Sequence, residues 1–204
     1  MLGVSGGSVI DVLAEGLPTL NTDWKSWRIF LCDERLVPAD DPESTYGAYV
    51  QKLLPKIPEF PPDNFLQANV SVSSEESAKD YEQRLRELWE AAGTNPNQVP
   101  YGMSDCLILG VGPDGHTCSL FPDHSVLEVK DSWVTYIEDS PKPPPKRITL
   151  TYPFINKATH VIVLAKGEQK AQIVKNLQKG VDLPIGRVNN PGGRLEWILD
   201  HLVV

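Results

Sequence analysis

The chain has 204 residues, enough for one domain (residues 1–204) with a sizeable core, and 41% hydrophobic against 23% charged residues is an ordinary globular balance. A formal net charge of −8 argues against nucleic acid, which needs a basic face, and means that any anion site must be a local basic cluster. The longest apolar runs, such as VIVLA at 161–165, are too short to span a bilayer, so no membrane association is expected.

In chain order, MLGV reads as a strand running into Ser5-Gly6-Gly7-Ser8, followed by the helical pattern VIDVLAEGL. WRIFLC is a second strand and ends on Asp33-Glu34-Arg35. LPKIPEFPPDN is a proline-rich surface connection. The next helix covers 73–93: Ser73 and Glu76 form a capping box and Gly93 marks its far end. Its apolar stripe is Ala78, Tyr81, Leu85, Leu88, Trp89 and Ala92, a core face and not a binding box. DCLILGVG is a buried strand ending on Pro113-Asp114-Gly115-His116, and a short helical segment is expected beyond it, closed by Pro122. SPKPPPKR is a stiff connection, read as a spacer in preference to an SH3 ligand. HVIVLAKG is a further strand, with EQKAQIVKNLQ a helix carrying Lys170 and Lys175 on its surface. Near-continuous apolar strands alternating with helices predict a doubly wound, mostly parallel α/β sheet with helices on both faces. Ligands collect at the carboxyl ends of such strands, where the polar residues of this chain cluster.

Gly110, Gly112 and Gly115 match the dinucleotide fingerprint G-x-G-x-x-G. That fingerprint needs a long helix after the third glycine to receive the pyrophosphate, and Pro122 forbids one. No G-K-[ST] is present, so a P-loop fails as well. His116 is then either a structural histidine bonded to its loop or a general base. Its strand-end position and Asp114 two residues away favour the base. His116 and His124 lack metal-ligand spacing and no cysteine pair supports zinc, so no metal or cofactor is expected. Cys32, Cys106 and Cys118 are an odd set without C-x-x-C spacing, and no secretory pattern opens the chain, both of which fit a cytoplasmic protein. Cys32 and Cys106 are read as core and Cys118 as a small buried thiol. Ser5, Gly6, Gly7 and Ser8 before a helix are either a tight turn with Ser8 as N-cap or an anion loop. Arg35, Lys146 and Arg147 are either local ion-pair partners or phosphate donors.

The stretches SGGS, CDERLVPADDPESTYGAY, GVGPDGHTCSLFPDH and SPKPPPKRITLTYPFINKA, in this order, resemble the glucosamine-6-phosphate isomerase/6-phosphogluconolactonase family, on its lactonase side. The resemblance implies the NagB/RpiA/CoA-transferase-like fold and metal-free hydrolysis of 6-phospho-D-glucono-1,5-lactone to 6-phospho-D-gluconate in the oxidative pentose phosphate pathway. It implies His116 as general base, with Asp114 orienting it. It further implies Ser5, Gly6, Gly7, Ser8, Arg35 and Arg147 as the sugar-phosphate cradle, and Asp33 holding a sugar hydroxyl or Arg35. The expected partner is the small sugar-phosphate lactone, with no nucleic acid and no obligate protein partner. Two alternatives stay open: a glucosamine-6-phosphate deaminase or isomerase, and a non-catalytic sugar-phosphate module. Arg35 after Asp-Glu and SLFP after the DGH turn favour the lactonase. Compared with that family the chain is expected to lack an N-terminal helix and part of the first strand, leaving an exposed apolar patch.

Overall fold

The computed structural model describes residues 1–91, 93 and 104–203. In chain order it contains β1 (Leu2–Val4), α1 (Ser8–Gly16), β2 (Ile29–Leu31), β3 (Asp33–Arg35), α2 (Thr45–Lys52), β4 (Phe65–Leu66) and α3 (Ser74–Ala91). These are followed by β5 (Cys106–Gly110), β6 (Val134–Ile137), β7 (Arg147–Leu150), α4 (Tyr152–Ile155), β8 (His160–Ala165), α5 (Ala171–Gln178) and β9 (Arg194–Leu199). Six strands form one sheet in the order β4-β2-β1-β5-β8-β9, with every neighbouring pair parallel. The chain winds outward in both directions from the β1–β5 pair, as the doubly wound reading predicts. That pair is the switch point, where diverging loops leave a crevice beyond the strand ends.

One feature of the topology differs from the expectation. Asp33, Glu34 and Arg35 are not a loop at a strand end but the strand β3, which pairs antiparallel with β7 in a second sheet of order β3-β7-β6. Cys32 is the crossing point. Its N–H donates to the Val4 carbonyl (2.9 Å), and its own carbonyl accepts from the Leu150 N–H (2.9 Å). The backbone thus passes from one sheet to the other within a single residue. The small sheet stands against the crevice and brings both ends of the DER and KR motifs to it, with Arg35 paired to Arg147 in register.

The helix α3 shows how local sequence becomes packing. Ser73 and Glu76 cap it reciprocally: the Glu76 N–H donates to Ser73 Oγ (3.2 Å), and the Ser73 N–H donates to Glu76 Oε2 (3.1 Å). Ala78, Tyr81, Leu85 and Trp89 are buried from the predicted stripe and Leu88 is partly buried, while Ala92 lies outside the described residues. Burying each large side chain contributes about 1.5–3 kcal/mol. Trp89 meets Phe30, Trp133 and Phe154 edge-on at 5.7–5.8 Å, so the aromatics of β2, α3, α4 and the segment before β6 form one cluster. The Tyr81 hydroxyl completes the docking, accepting the Leu31 N–H (2.7 Å) and donating to the Leu31 carbonyl (3.1 Å).

Other local expectations change. Residues 117–120 form a tight turn, with the Leu120 N–H on the Thr117 carbonyl (3.0 Å), in place of the expected short helix. Cys118 has φ +50° there, outside the helical range, so helical spacing could not continue. Ile57 and Phe60 of the proline-rich connection are buried, not superficial. Cys32 is fully buried, whereas Cys106 is only partly so. Among the described residues no helix is long and apolar enough to cross a membrane.

Candidate active site

The crevice at the β1–β5 switch point is a cleft of about 580 Å³. Ser5, Gly6, Gly7, Ser8, Asp33, Arg35, His116 and Arg147 all line it, and Asp114 stands directly behind His116. The structure therefore brings these expected residues to one cleft. It adds Thr45, Lys142, Lys166 and Lys170, which sequence reasoning missed.

The loop after β1 leads into a helix start with no side-chain cap. The Ser5 N–H donates to the Ile108 carbonyl (3.0 Å), and the buried Tyr49 hydroxyl donates to the Ser5 carbonyl (2.8 Å), which fixes where the strand ends. Gly7, not Ser8, occupies the N-cap of α1, with φ +65° and no side chain capping the helix. A Cβ would disfavour that conformation. The uncapped first turn leaves backbone N–H groups and the positive end of the helix dipole facing the cleft.

His116 leaves the turn after β5. The Gly112 N–H donates to the His116 carbonyl (2.8 Å), and the Thr117 hydroxyl donates to the Gly110 carbonyl (2.9 Å). A Cβ on Gly112 would fall 2.0 Å from the imidazole, so the ring occupies space that only glycine leaves. The ring is tilted against Phe121 at 4.7 Å between centroids. Nδ1 meets Asp114 Oδ1 and lies 3.1 Å from Lys142 Nζ, which itself donates to the same carboxylate oxygen (3.1 Å). Burial pulls the imidazole below its ordinary value; Asp114 opposes this, and the Lys142 charge reinforces it. Burial thus favours the neutral form of the ring, the form a base needs. Burial alone would raise Asp114, but the His116 hydrogen bond and charge, then those of Lys142, outweigh it and bring the carboxyl to about 2.

The remaining polar residues divide into those facing the cleft and those bracing it. Asp33 Oδ2 accepts from the Ser119 hydroxyl (2.9 Å), a bond that ties the turn after His116 to β3. Arg35 spends Nη1 on the Glu43 carbonyl (2.8 Å) and on Glu43 Oε2 (3.3 Å), at the cleft rim. Glu34 is buried and accepts the N–H groups of Arg35, Thr45 and Tyr46 (2.7–2.9 Å), holding the start of α2. Burial raises its carboxyl, partly offset by those donors. Arg147 is almost wholly buried. Its Nε donates to the Pro144 carbonyl (3.0 Å), and its Nη2 donates to the carbonyls of Lys142 (2.9 Å) and Pro143 (3.1 Å). The 140–146 segment, read as a spacer, is thus a strap held over the cleft by Arg147, and it carries Lys142 inward. Lys170, expected on a helix surface, is half-buried at the cleft just before α5. Burial lowers its ammonium, and the charge of Lys142 lowers it further. Lys146 faces away, 3.9 Å from Glu138. Among the described residues no group of three His, Cys, Asp or Glu is arranged to hold a metal ion.

In a chain of net charge −8, the cleft gathers Arg35, Lys142, Arg147, Lys166 and Lys170 around one imidazole–carboxylate pair. The chain is similar to known proteins along nearly its whole length. The family model for glucosamine-6-phosphate isomerases/6-phosphogluconolactonase matches residues 1–197. The human 6-phosphogluconolactonase is 44% identical over 208 residues, covering 98% of this chain and 78% of its own. Among solved structures, the 6-phosphogluconolactonase from Trypanosoma cruzi is 31% identical, with a TM-score of 0.80 over 99% of this chain and 83% of its own. The one from Thermotoga maritima is 26% identical, with a TM-score of 0.82 over 98% of this chain and 84% of its own.

Proposed function

The chain belongs to the glucosamine-6-phosphate isomerase/6-phosphogluconolactonase family, and from that premise we propose that His116 is the general base of its lactone hydrolysis. The reaction opens 6-phospho-D-glucono-1,5-lactone to 6-phospho-D-gluconate in the oxidative pentose phosphate pathway. Water attacks the lactone carbonyl carbon as His116 Nε2 removes its proton. The tetrahedral intermediate then expels the ring oxygen, and the imidazolium returns the proton to that oxygen as the C–O bond breaks. With Nδ1–H donated to Asp114, Nε2 is the basic nitrogen, and the carboxylate stabilises the imidazolium. The uncapped α1 turn with Arg35 holds the phosphate. Backbone N–H groups at the strand ends serve the oxyanion.

The observation that carries this reading is the carboxylate-backed imidazole on the wall of an otherwise basic cleft. We extend the proposal to a cytoplasmic setting, which suits the free cysteines Cys32, Cys106 and Cys118. The test is acid release from fresh 6-phosphogluconolactone, corrected for spontaneous hydrolysis, by the native chain and by His116→Asn. The variant should fold normally and lose about a hundred- to ten-thousand-fold in kcat. Near-native kcat in a folded variant removes the base assignment. Ammonia release from glucosamine 6-phosphate would instead indicate the deaminase branch of the family.

A further inference from the structure

His116 Nδ1 has two neighbours that ask opposite things of it. A neutral imidazole carries one N–H, on one nitrogen or the other. If Nδ1 carries the hydrogen, it donates to Asp114, and Nε2 holds the lone pair that can take a proton from water. If Nδ1 instead accepts from the Lys142 ammonium, 3.1 Å away, Nε2 carries the hydrogen and cannot act as a base. The same ammonium occupies the Asp114 oxygen that the imidazole needs, at 3.1 Å. The backbone of Lys142 is pinned. Its carbonyl accepts from Arg147 Nη2 (2.9 Å) and from Ser140 Oγ (2.7 Å), and its N–H donates to that hydroxyl (3.2 Å). Its side chain, by contrast, has four rotatable bonds and lines the same cleft as Arg35 and the α1 turn, where the proposed function seats the phosphate.

We propose that Lys142 is a positioning residue through which the substrate's phosphate switches on the base: the phosphate dianion draws the ammonium off Asp114 and His116, and Nδ1–H then turns to Asp114. This deepens the reading of His116 as base and rests on it. A phosphate dianion is a far stronger acceptor for an ammonium than a neutral ring nitrogen. The binding energy of a remote part of the substrate is thereby spent at the reacting centre. The charged groups acting on His116 are Asp114 from its own turn, Lys142 from the strap and Asp33 from β3, and Lys170, just before α5, interacts in turn with Lys142 and Asp114. Lys142 is the cation among those acting on the imidazole, so its departure raises the basicity of the ring.

The test uses phosphite dianion as a detached phosphate and glucono-1,5-lactone as the truncated substrate, with uncatalysed rates subtracted. Phosphite should activate the native enzyme about tenfold or more, and Lys142→Met should lose that activation. In Lys142→Met the acid limb of kcat/KM should move to higher pH by about one unit, because the repelling charge beside the imidazole is gone. Lys142→Arg, which keeps the charge, should keep the native limb. No activation of the native enzyme, equal activation of Lys142→Met, or an equal limb shift in the Met and Arg variants overturns the coupling. His116→Asn in the same series separates the two readings: if it is inactive while Lys142→Met behaves as native, only the coupling falls. If it is active, the base assignment itself falls.

Discussion

Arg147→Ala tests what the buried guanidinium does. The family resemblance implied a place in the phosphate cradle, whereas the structure directs its bonds from Nε and Nη2 to the carbonyls of Lys142, Pro143 and Pro144 at 2.9–3.1 Å. Hydrogen bonds from a charged donor contribute about 1.5–3 kcal/mol each, but bonds sharing one planar group do not add. With Arg147 only 3% exposed, little of this is screened by solvent. Truncation also leaves a void beside Phe121, whose ring lies 5.7 Å from the guanidinium carbon. A loss of about 2–4 kcal/mol is therefore expected, which at an m-value of about 2 kcal/mol/M moves the urea midpoint down by about 1–2 M. The strap would loosen and Lys142 would lose its anchor. Below the new midpoint, kcat/KM should fall for both lactones, and further for the phosphorylated one, whose activation passes through Lys142. Urea denaturation followed by tryptophan fluorescence, with kinetics on both substrates, checks this. Unchanged stability together with a rise in KM confined to the phosphorylated lactone would refute the strap argument and restore a direct phosphate contact.

Asp114→Asn removes the charge that raises His116, so the acid limb of kcat/KM should move to lower pH while kcat falls about ten- to a hundredfold; an unmoved limb separates Asp114 from the base. The carboxyl is held at about 2, below its unfolded value, so its stabilisation is present above about pH 4 and lost as pH falls toward 2. With its side chain 35% exposed, screening limits this to about 1 kcal/mol, and urea stabilities of native and Asp114→Asn proteins should converge across that window. Arg35→Ala, at the cleft rim, should raise KM for the phosphorylated lactone about ten- to a hundredfold and affect plain gluconolactone less, which steady-state kinetics on the two substrates will read. Tyr81→Phe leaves the Leu31 N–H and carbonyl without their hydroxyl partner and should cost about 1–3 kcal/mol in urea denaturation without changing kcat.

The parts of this protein that the sequence by itself determined are those whose physics is local. The α3 capping box joins residues three apart, and its buried stripe repeats at helical spacing. The His116–Asp114 pair is two residues apart in a glycine turn, and the SGGS loop sits at the mouth of its own helix. Apolar runs alternating with helices were enough for the doubly wound sheet, because a strand buried on both faces must be apolar throughout. Only the tertiary structure decided what depends on the path of the chain. Ser119 reaches Asp33 across 86 residues of sequence, and Lys142 reaches Asp114 across 28. No periodicity or turn chemistry encodes such contacts. Lys142 lay within a proline-rich stretch whose composition specifies stiffness but not direction, and Lys170 lay at a helix start where a surface lysine is the ordinary outcome. The crossing at Cys32 that makes Asp33, Glu34 and Arg35 a strand of a second sheet has the same origin. A backbone N–H and C=O can each take a partner from a different sheet, and which partners they find is settled by packing far away in sequence.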